Sequence, residues 1–366
     1  MGSTPHSLDH AFCAGPTWKA DKDPRKINLG VGAYRDDNGK PYVLNAVKKA
    51  EELLVQQNPD KEYLPITGLP EFTQAAAKLA YGEDSIPLKE SSIVVAQSIF
   101  ATGALRIGGA FLARLYPHSK TIYLPTPSWG NHTSVFRDSG LEVKNYRYFD
   151  KKTVGLDFEG LKEDLKGFAS GSTSRDASAV RNFVSGGHQI ALAQSFANSM
   201  GLYGERVGLF SLITANPEER ARVDSRLKIV IRPMYSKPPL HGARIASTIL
   251  RNQDLYGLWE SEVKHMAGRI IDMRHRLRDN LDNLNTPGDW SHITRQIGMC
   301  SGAFALLTFT RFLNWKDGGT ERNAGFVFDN FMIHLDKPKR QKTHAEARQK
   351  TPQVQRYSRE RASAEV

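Results

Sequence analysis

The residues best suited to chemistry lie together between positions 194 and 208. Ser195 supplies a hydroxyl directly after a short apolar run, Ile190–Ala193, and such a run predicts a buried strand. Three glycines that allow a tight turn and close backbone approach follow: Gly201, Gly204 and Gly208. Within this turn Arg206 carries a forked, permanently charged group that suits a phosphate. The stretch therefore predicts an anion site at the end of a buried strand.

Two further segments could position such a site. Ser92–Gln97 has strand composition, and apolar residues recur at helical spacing from Ala104 to Leu115. A strand, a short turn and a buried helix place unpaired helix N–H groups where a phosphate can bind, and Thr102 lies in that turn. The strand Thr121–Leu124 is followed by Trp129 in a Pro/Gly loop, where the ring either caps a planar ligand or packs in the core.

Two later segments have patterns typical of structural helices. Asn216 with Pro217 predicts the start of a helix. The stretch from Leu255 to Leu284 repeats apolar residues every three or four positions, and we interpret that face as core.

The composition limits which classes of protein this chain can belong to. The chain has 366 residues and 40% hydrophobic content, which is enough for a large core in one or two domains. Its two cysteines, Cys13 and Cys300, argue against a disulfide scaffold and fit a reducing compartment. No zinc-binding spacing and no run of 18 apolar residues occurs, so neither a metal nor a membrane span is predicted. The first 25 residues show no targeting pattern, which predicts a cytoplasmic protein, with a mitochondrial location as the alternative.

Nearly half of the formal net charge of +11 lies in the last 31 residues. Residues 336–366 hold nine Lys or Arg against four Asp or Glu. A basic segment with little apolar content predicts a solvated, disordered tail. Nucleic-acid contact is the alternative, and no nucleic-acid motif supports it.

The motif at Ser195 closely resembles the cofactor-lysine segment of the aspartate aminotransferases, the class I pyridoxal-phosphate enzymes. That segment reads Ser-Tyr-Ala-Lys-Asn-Met-Gly-Leu-Tyr-Gly-Glu-Arg-Val-Gly. The family's Asn-Leu-Gly-Val-Gly-Ala-Tyr-Arg recurs unchanged at 28–35, its Trp-Gly-Asn-His-Thr at 129–133, and its Arg-Pro-Met-Tyr-Ser at 232–236. The resemblance covers residues 25–300. It implies an α/β fold of the fold-type I pyridoxal-phosphate transferases, with a mostly parallel central sheet, helices on both faces and the remnant of a small α/β domain.

The resemblance also implies roles for individual residues. The resemblance assigns cofactor binding to five residues from several segments: Tyr63, Thr102, Trp129, Ser195 and Arg206. Tyr63 would reach the cofactor phosphate of a neighbouring subunit, which implies a homodimer. Gly32 would lie against the substrate, and Arg232 would cross the dimer interface to bind the side-chain carboxylate of a dicarboxylic amino or oxo acid.

Asn198 occupies the position of the family's cofactor lysine. An amide is neither nucleophilic nor basic near neutral pH, so Asn198 cannot hold the cofactor as a Schiff base. In the phosphate turn, where the family reads Ser-Gly-Thr-Gly, Phe100 and Ala101 precede Thr102 and Gly103. We therefore expect pyridoxal 5'-phosphate to bind at best weakly and without a covalent bond.

The domain organisation departs from the family at three places. Residues 1–24 are predicted to form an N-terminal arm, an internal segment with two core strands is missing near 166/167, and residues 301–366 diverge. The lost strands predict unpaired sheet edges near Ile122 and Leu192. The lost C-terminal strands predict an uncovered inner face on the helix from Leu255 to Leu284, and hence poor stability.

Two functions remain open. The first is aspartate aminotransferase, which exchanges amino groups between L-aspartate and 2-oxoglutarate to give oxaloacetate and L-glutamate. The second is a catalytically dead homologue or defective gene product that acts at most as a dimer partner. Asn198 and the missing segments favour the second.

Overall fold

A computed structural model describes residues 20, 22–23, 32–126, 128–147, 149–150, 155–156, 177–295 and 330–334. Their helices are α1 (Asn45–Gln57), α2 (Pro70–Tyr81), α3 (Ile86–Lys89), α4 (Phe100–Leu115), α5 (Gly130–Asp138), α6 (Ser178–Ser185), α7 (Ala197–Met200), α8 (Pro217–Tyr235), α9 (His241–Arg251), α10 (Gln253–Asn283) and α11 (His292–Arg295). Their strands are β1 (Ile93–Ile99), β2 (Thr121–Thr126), β3 (Glu142–Arg147), β4 (Phe149–Asp150), β5 (Gly155–Leu156), β6 (Ile190–Ser195), β7 (Val207–Ile213) and β8 (Asn330–His334). All these elements belong to one unit that ends at His334.

The main sheet has four strands in the order β1-β7-β6-β8. All three of its pairings are antiparallel. The strands β2 and β3 form a separate parallel pair, with Thr121 opposite Glu142, and β4 pairs antiparallel with β5. The α/β class is therefore confirmed.

The expectation of a mostly parallel central sheet is wrong for the described strands. Residues 196–206 connect β6 to β7 through the one-turn helix α7 and a glycine-rich turn, and β7 returns antiparallel beside β6. Parallel neighbours need a crossover of about a dozen residues or more. Among the paired strands of the described residues, β2 and β3 alone are parallel, and α5 lies in the crossover between them.

Helices cover both faces of the four-stranded sheet, as predicted. On one face, the hydroxyl groups of Tyr81 from α2 and Ser211 from β7 share a hydrogen bond of 2.8 Å. On the other face, Phe210 packs beneath Gly108 of α4, where a Cβ atom would come within 2.9 Å of the ring. Because successive strand residues point to opposite faces, Phe210 and Ser211 fix the helix on each side.

The predicted elements recur with small shifts of their ends. The helix predicted from Ala104 begins four residues earlier, at Phe100. The helix after Asn216 is confirmed, and the Asn216 side chain accepts the N–H of Glu219 at 2.8 Å. Glu219 in turn accepts the N–H of Ala215 at 2.6 Å, so the two side chains satisfy two backbone donors reciprocally.

The predictions of an unpaired sheet edge at Leu192 and of an uncovered inner face on α10 are wrong. The β6 edge at Leu192 is paired by β8, with Leu192 opposite Met332, and Leu192 is only 1% exposed. The inner face of α10 is covered, because the following residues are buried: Leu255, Trp259, Met266, Ile270, Met273 and Leu281. Near Ile122 the sheet ends after two strands, and Tyr123 is 60% exposed.

Several predictions fall outside the described residues: the arm 1–24 apart from residues 20 and 22–23, the junction near 166/167, and the segment 301–366 apart from β8. These domain boundaries stay predictions. No helix of the described part of the chain is long and apolar enough to cross a membrane. Within the same residues, no group of three or more His, Cys, Asp or Glu side chains could hold a metal ion.

Candidate functional site

The ends of three elements meet at the glycine-rich turn. Ser195 closes β6 and lies opposite Gly208 of β7, and Gly208 lies opposite Ser98 of β1 on its other side. The N–H of Phe100, the first residue of α4, donates to the carbonyl oxygen of Arg206 at 3.0 Å. The sheet register therefore brings Ser195, Arg206 and the first turn of α4 together.

A backbone N–H group two residues further along holds the Ser195 hydroxyl. Ser195 is 4% exposed, and its Oγ accepts the N–H of Ala197, in the first turn of α7, at 3.2 Å. Such a local bond is typical of a serine at the end of a strand. Ser195 thus lies at the C-terminal end of β6, as the sequence predicts, and its hydroxyl is fixed beside the start of α7.

Asn198 lies half-buried on α7. The helix is one turn long and ends at Gly201, whose φ of +65° is a left-handed conformation that favours glycine. Trp259 of α10 donates its indole N–H to the carbonyl oxygen of Ser199 at 2.7 Å. The position that carries the family's lysine is thus anchored to α10, with an amide in place of an amine.

Arg206 faces an aromatic ring. The centre of its guanidinium lies 4.2 Å from the centroid of the Phe100 ring, and Nη1 donates to the carbonyl oxygen of Tyr203 at 3.3 Å. Thr102 lies half-buried in the same first turn of α4. No side chain caps the N-terminus of α4 among the described residues. Arg206 and this helix end therefore lie side by side, with Phe100 stacked on the arginine, and the anion site stays a prediction.

The segment after Gly32 also reaches the turn. The N–H of Tyr34 donates to the hydroxyl oxygen of Tyr203 at 2.8 Å. Gly32 itself is exposed. The substrate segment implied by the resemblance therefore lies next to the turn that carries Arg206.

Trp129 precedes α5 and packs edge-on against His132, with ring centroids 5.3 Å apart. The Ser128 hydroxyl and Nδ1 of His132 share a hydrogen bond of 2.8 Å. Burial lowers the pKa of His132, which favours a neutral imidazole. The described contacts of Trp129 are with this loop and not with the Ser195–Arg206 cluster.

Tyr63 and Arg232 both lie at the surface. Tyr63 is 79% exposed, and Nζ of Lys237 lies 4.5 Å from its ring centroid. Arg232 is exposed near the end of α8. The described contacts do not join either residue to the Ser195–Arg206 cluster of the same chain, so their implied roles stay predictions.

Sequence reasoning missed one buried carboxylate. Glu262 of α10 accepts hydrogen bonds from the backbone N–H groups of Asn45 and Ala46, at 2.7 Å and 3.0 Å. The hydroxyl of Tyr42 also donates to it at 3.1 Å. The signal in the sequence is an acidic residue between the apolar positions Trp259 and Met266 of one helix face.

The sequence profile described as Aminotransferase class I and II matches residues 24–173 and 166–303. The chain belongs to this aminotransferase family. It is 48% identical over 330 residues to the mitochondrial aspartate aminotransferase of Xenopus tropicalis, covering 77% of each chain. It is 46% identical over 332 residues to the cytoplasmic aspartate aminotransferase of Oryza sativa subsp. japonica, covering 77% of this chain and 81% of the relative. The resemblance to the aspartate aminotransferases is therefore confirmed, and these relatives include mitochondrial and cytoplasmic forms.

A solved aminotransferase supports the same fold. The aromatic-amino-acid aminotransferase of Burkholderia pseudomallei, covalently bound to pyridoxal phosphate, superposes with a TM-score of 0.73 at 34% identity. The match covers 81% of this chain and 85% of that one. Membership of the aminotransferase family thus implies pyridoxal phosphate as the cofactor.

The residues of this aminotransferase do not fit that cofactor. Covalent binding needs an amine, and Asn198 stands at the implied lysine position. At the phosphate end, an apolar ring covers one face of the exposed Arg206 guanidinium, and its Nη1 is bonded to the Tyr203 carbonyl oxygen. The chain therefore lacks the amine for the cofactor, and Phe100 lies on the arginine that the resemblance assigns to the phosphate.

Proposed function

We propose that this chain is an aspartate aminotransferase homologue that does not transfer amino groups. The observation that carries the proposal is Asn198, half-buried on the short helix directly after Ser195. In the family this position supplies the amine that binds the cofactor and moves the proton. An amide does neither, because its nitrogen lone pair is delocalised into the carbonyl group.

The expected loss of reaction rate supports the proposal. One positioned acid–base group contributes about 10²–10⁴ in rate. Asn198 removes that group and the covalent anchor together. The hydroxyl of Ser195 does not replace them, because an alcohol cannot form a Schiff base and is not basic near neutral pH.

The ligands that remain are small dicarboxylic amino and oxo acids. Arg232 is exposed near the end of α8, where its guanidinium can pair with a carboxylate brought by another molecule. Tyr63 is also exposed. These are the two side chains that the resemblance assigns to a neighbouring subunit, so their exposure supports a homodimer. A monomeric mass of purified protein in light scattering would count against it.

We propose a cytoplasmic location. The rice relative carries that description, and the frog relative, which is mitochondrial, makes a mitochondrial location the alternative. Fractionation of cells that express the full chain with a C-terminal tag distinguishes the two.

The deciding experiment combines chemistry and activity. The full chain is incubated with pyridoxal 5'-phosphate, reduced with borohydride and digested, and aspartate-dependent glutamate formation is measured in parallel. We expect only scattered substoichiometric labelling of lysines, with the same pattern in an Asn198→Ala control, and glutamate formation no faster than with free cofactor. A pyridoxyl-lysine at one site in full stoichiometry, or faster glutamate formation, identifies an active aspartate aminotransferase instead.

A further inference from the structure

We infer that the ring of Phe100 closes the phosphate end of this site by covering one face of Arg206 and the start of α4, so that the chain does not prefer a phosphorylated ligand over its dephosphorylated form. The inference rests on the proposed function, since it concerns the same site. It depends on a different pair of residues from Asn198. It therefore makes a separate claim about non-covalent recognition.

The first support is the state of Arg206. Its side chain could serve an anion with five N–H donors in one plane. Here the face of that plane is covered by the Phe100 ring at 4.2 Å, and Nη1 points to the carbonyl oxygen of Tyr203 at 3.3 Å. One of the five donors is therefore engaged and one face of the exposed guanidinium is covered, so an anion can approach only the remaining donors in the plane, beside the ring of Phe100.

The second support is the backbone that carries the ring. The N–H of Phe100 donates to the Arg206 carbonyl oxygen at 3.0 Å, and its carbonyl oxygen accepts the hydroxyl of Ser98 at 3.0 Å. The Cα atom of Gly208 packs against that carbonyl group so closely that a Cβ would come within 2.6 Å. Phe100 is thus held from both ends, and its side chain leaves the backbone from a fixed point beside Arg206.

The conformation of Phe100 adds to this. Its φ is +63°, in the left-handed region that a bulky residue rarely adopts. Arg206 has a φ of +55°, so both members of the pair lie in that region. A strained backbone persists only where its surroundings hold it, and here the hydrogen bond between the two backbones does so.

The consequence concerns the first turn of α4. Ligand phosphates bind at helix N-termini because unpaired N–H groups point outward there. Phe100 is the first residue of α4, so its apolar ring lies at this helix end. The Arg206 guanidinium lies on the face of that ring. A phosphate at this helix end would meet the ring, which displaces its water and offers no hydrogen bond in return.

The test uses two ligands that lack the aldehyde and cannot form a Schiff base. Binding of pyridoxine 5'-phosphate and of pyridoxine to the full chain is measured by calorimetry at equal ionic strength. For the unchanged chain we expect the two dissociation constants to agree within about threefold, or neither ligand to bind measurably. A preference above about tenfold for the phosphorylated ligand would overturn the inference.

The variant Phe100→Ser tests the inference whichever of these results the unchanged chain gives. We expect it to gain a preference of about tenfold or more for pyridoxine 5'-phosphate, because Arg206 and the start of α4 become available. The gain should vanish in Phe100→Ser combined with Arg206→Gln. If Phe100→Ser is folded and gains no preference, the inference is wrong.

Two controls separate recognition from folding. Phe183→Ser makes the same chemical change at another half-buried phenylalanine, packed against His188, and should keep the ratio of the unchanged chain. If Phe100→Ser does not fold, Arg206→Gln alone still tests the idea. Arg206→Gln should leave the binding of both ligands within about twofold, and a selective loss of pyridoxine 5'-phosphate binding would show that Arg206 already holds the phosphate.

Discussion

The carboxylate of Glu262 accepts the N–H of Ala46 at 3.0 Å, across a sequence separation of 216 residues. Its other oxygen accepts the N–H of Asn45 at 2.7 Å. A helix begins with N–H groups that have no partner inside the helix, and the residue before α1 is Leu44, which makes no side-chain cap. Glu262 therefore caps α1 from the middle of α10 and joins the two helices.

We expect Glu262→Ala to lower the free energy of unfolding by about 2–3 kcal/mol, since bonds to a charged acceptor are worth about 1.5–3 kcal/mol and a lost cap about 1 kcal/mol. Denaturant unfolding followed by circular dichroism measures the change. Asp272→Ala, an exposed position on the same helix, is the matched control and should change stability by less than about 0.5 kcal/mol. Equal effects of the two substitutions would contradict the cap.

Gly208 gives a second stability prediction. A Cβ on this residue would lie 2.6 Å from the carbonyl carbon of Phe100 and 2.8 Å from the carbonyl oxygen of Gln194. Both neighbours are backbone atoms of β6 and α4, so neither can move alone. We expect Gly208→Ala to destabilise the chain by about 1–3 kcal/mol or more.

Gly204 provides the comparison, because a Cβ there meets nothing within 4 Å. Gly204→Ala should leave the thermal midpoint within about two degrees, whereas Gly208→Ala should lower it clearly. A Gly208→Ala protein as stable as the original would show that the three strands separate more easily than their register indicates.

The elements around the site could be read from local sequence, whereas its contacts could not. The run Ile190–Ala193 predicts β6 because its residues are apolar and too few for a helix. Nothing local indicates that the ring of Phe100 stacks on Arg206, since the pair depends on the register of β1, β7 and β6. The pairing of β8 with β6 was missed for the same reason, because strand pairing between distant segments leaves no local pattern.

His132 gives a pH dependence. Burial lowers the pKa of His132 in the folded chain, while the unfolded chain keeps a value near 6.5. Between the two values the unfolded state binds more protons, so the free energy of unfolding falls as the pH falls from about 6.5 through the lowered pKa. Above about pH 6.5 this contribution is constant.

We expect His132→Gln to lose less stability than the original chain between pH 7.5 and pH 5. Urea unfolding at each pH measures the difference. The exposed His265 is the control, and His265→Gln should follow the original chain. Parallel pH curves for the original chain and His132→Gln would mean that His132 titrates normally in the folded state.

The strands β2 and β3 should open more readily than the main sheet. They form a separate pair, and two-stranded sheets are marginally stable by themselves. Tyr123 is 60% exposed on β2, although Leu124 beside it is fully buried. We expect amide hydrogen exchange to be at least about tenfold faster at Tyr123 than at Phe210 in β7. Equal protection would indicate that another segment covers the β2–β3 pair.

The last prediction concerns repair of the site. Asn198→Lys supplies the missing amine on α7, but it leaves Phe100 on Arg206 and does not restore the family's carboxylate for the pyridine ring, which belongs to the segment predicted to be missing near 166/167. We therefore expect aspartate-dependent glutamate formation by Asn198→Lys to stay at the level of free pyridoxal 5'-phosphate, measured with a coupled glutamate assay. Asn198→Arg, which adds a cation without a nucleophile, is the control for charge. Glutamate formation by Asn198→Lys more than about tenfold above both references would show that one residue alone separates this chain from an active enzyme.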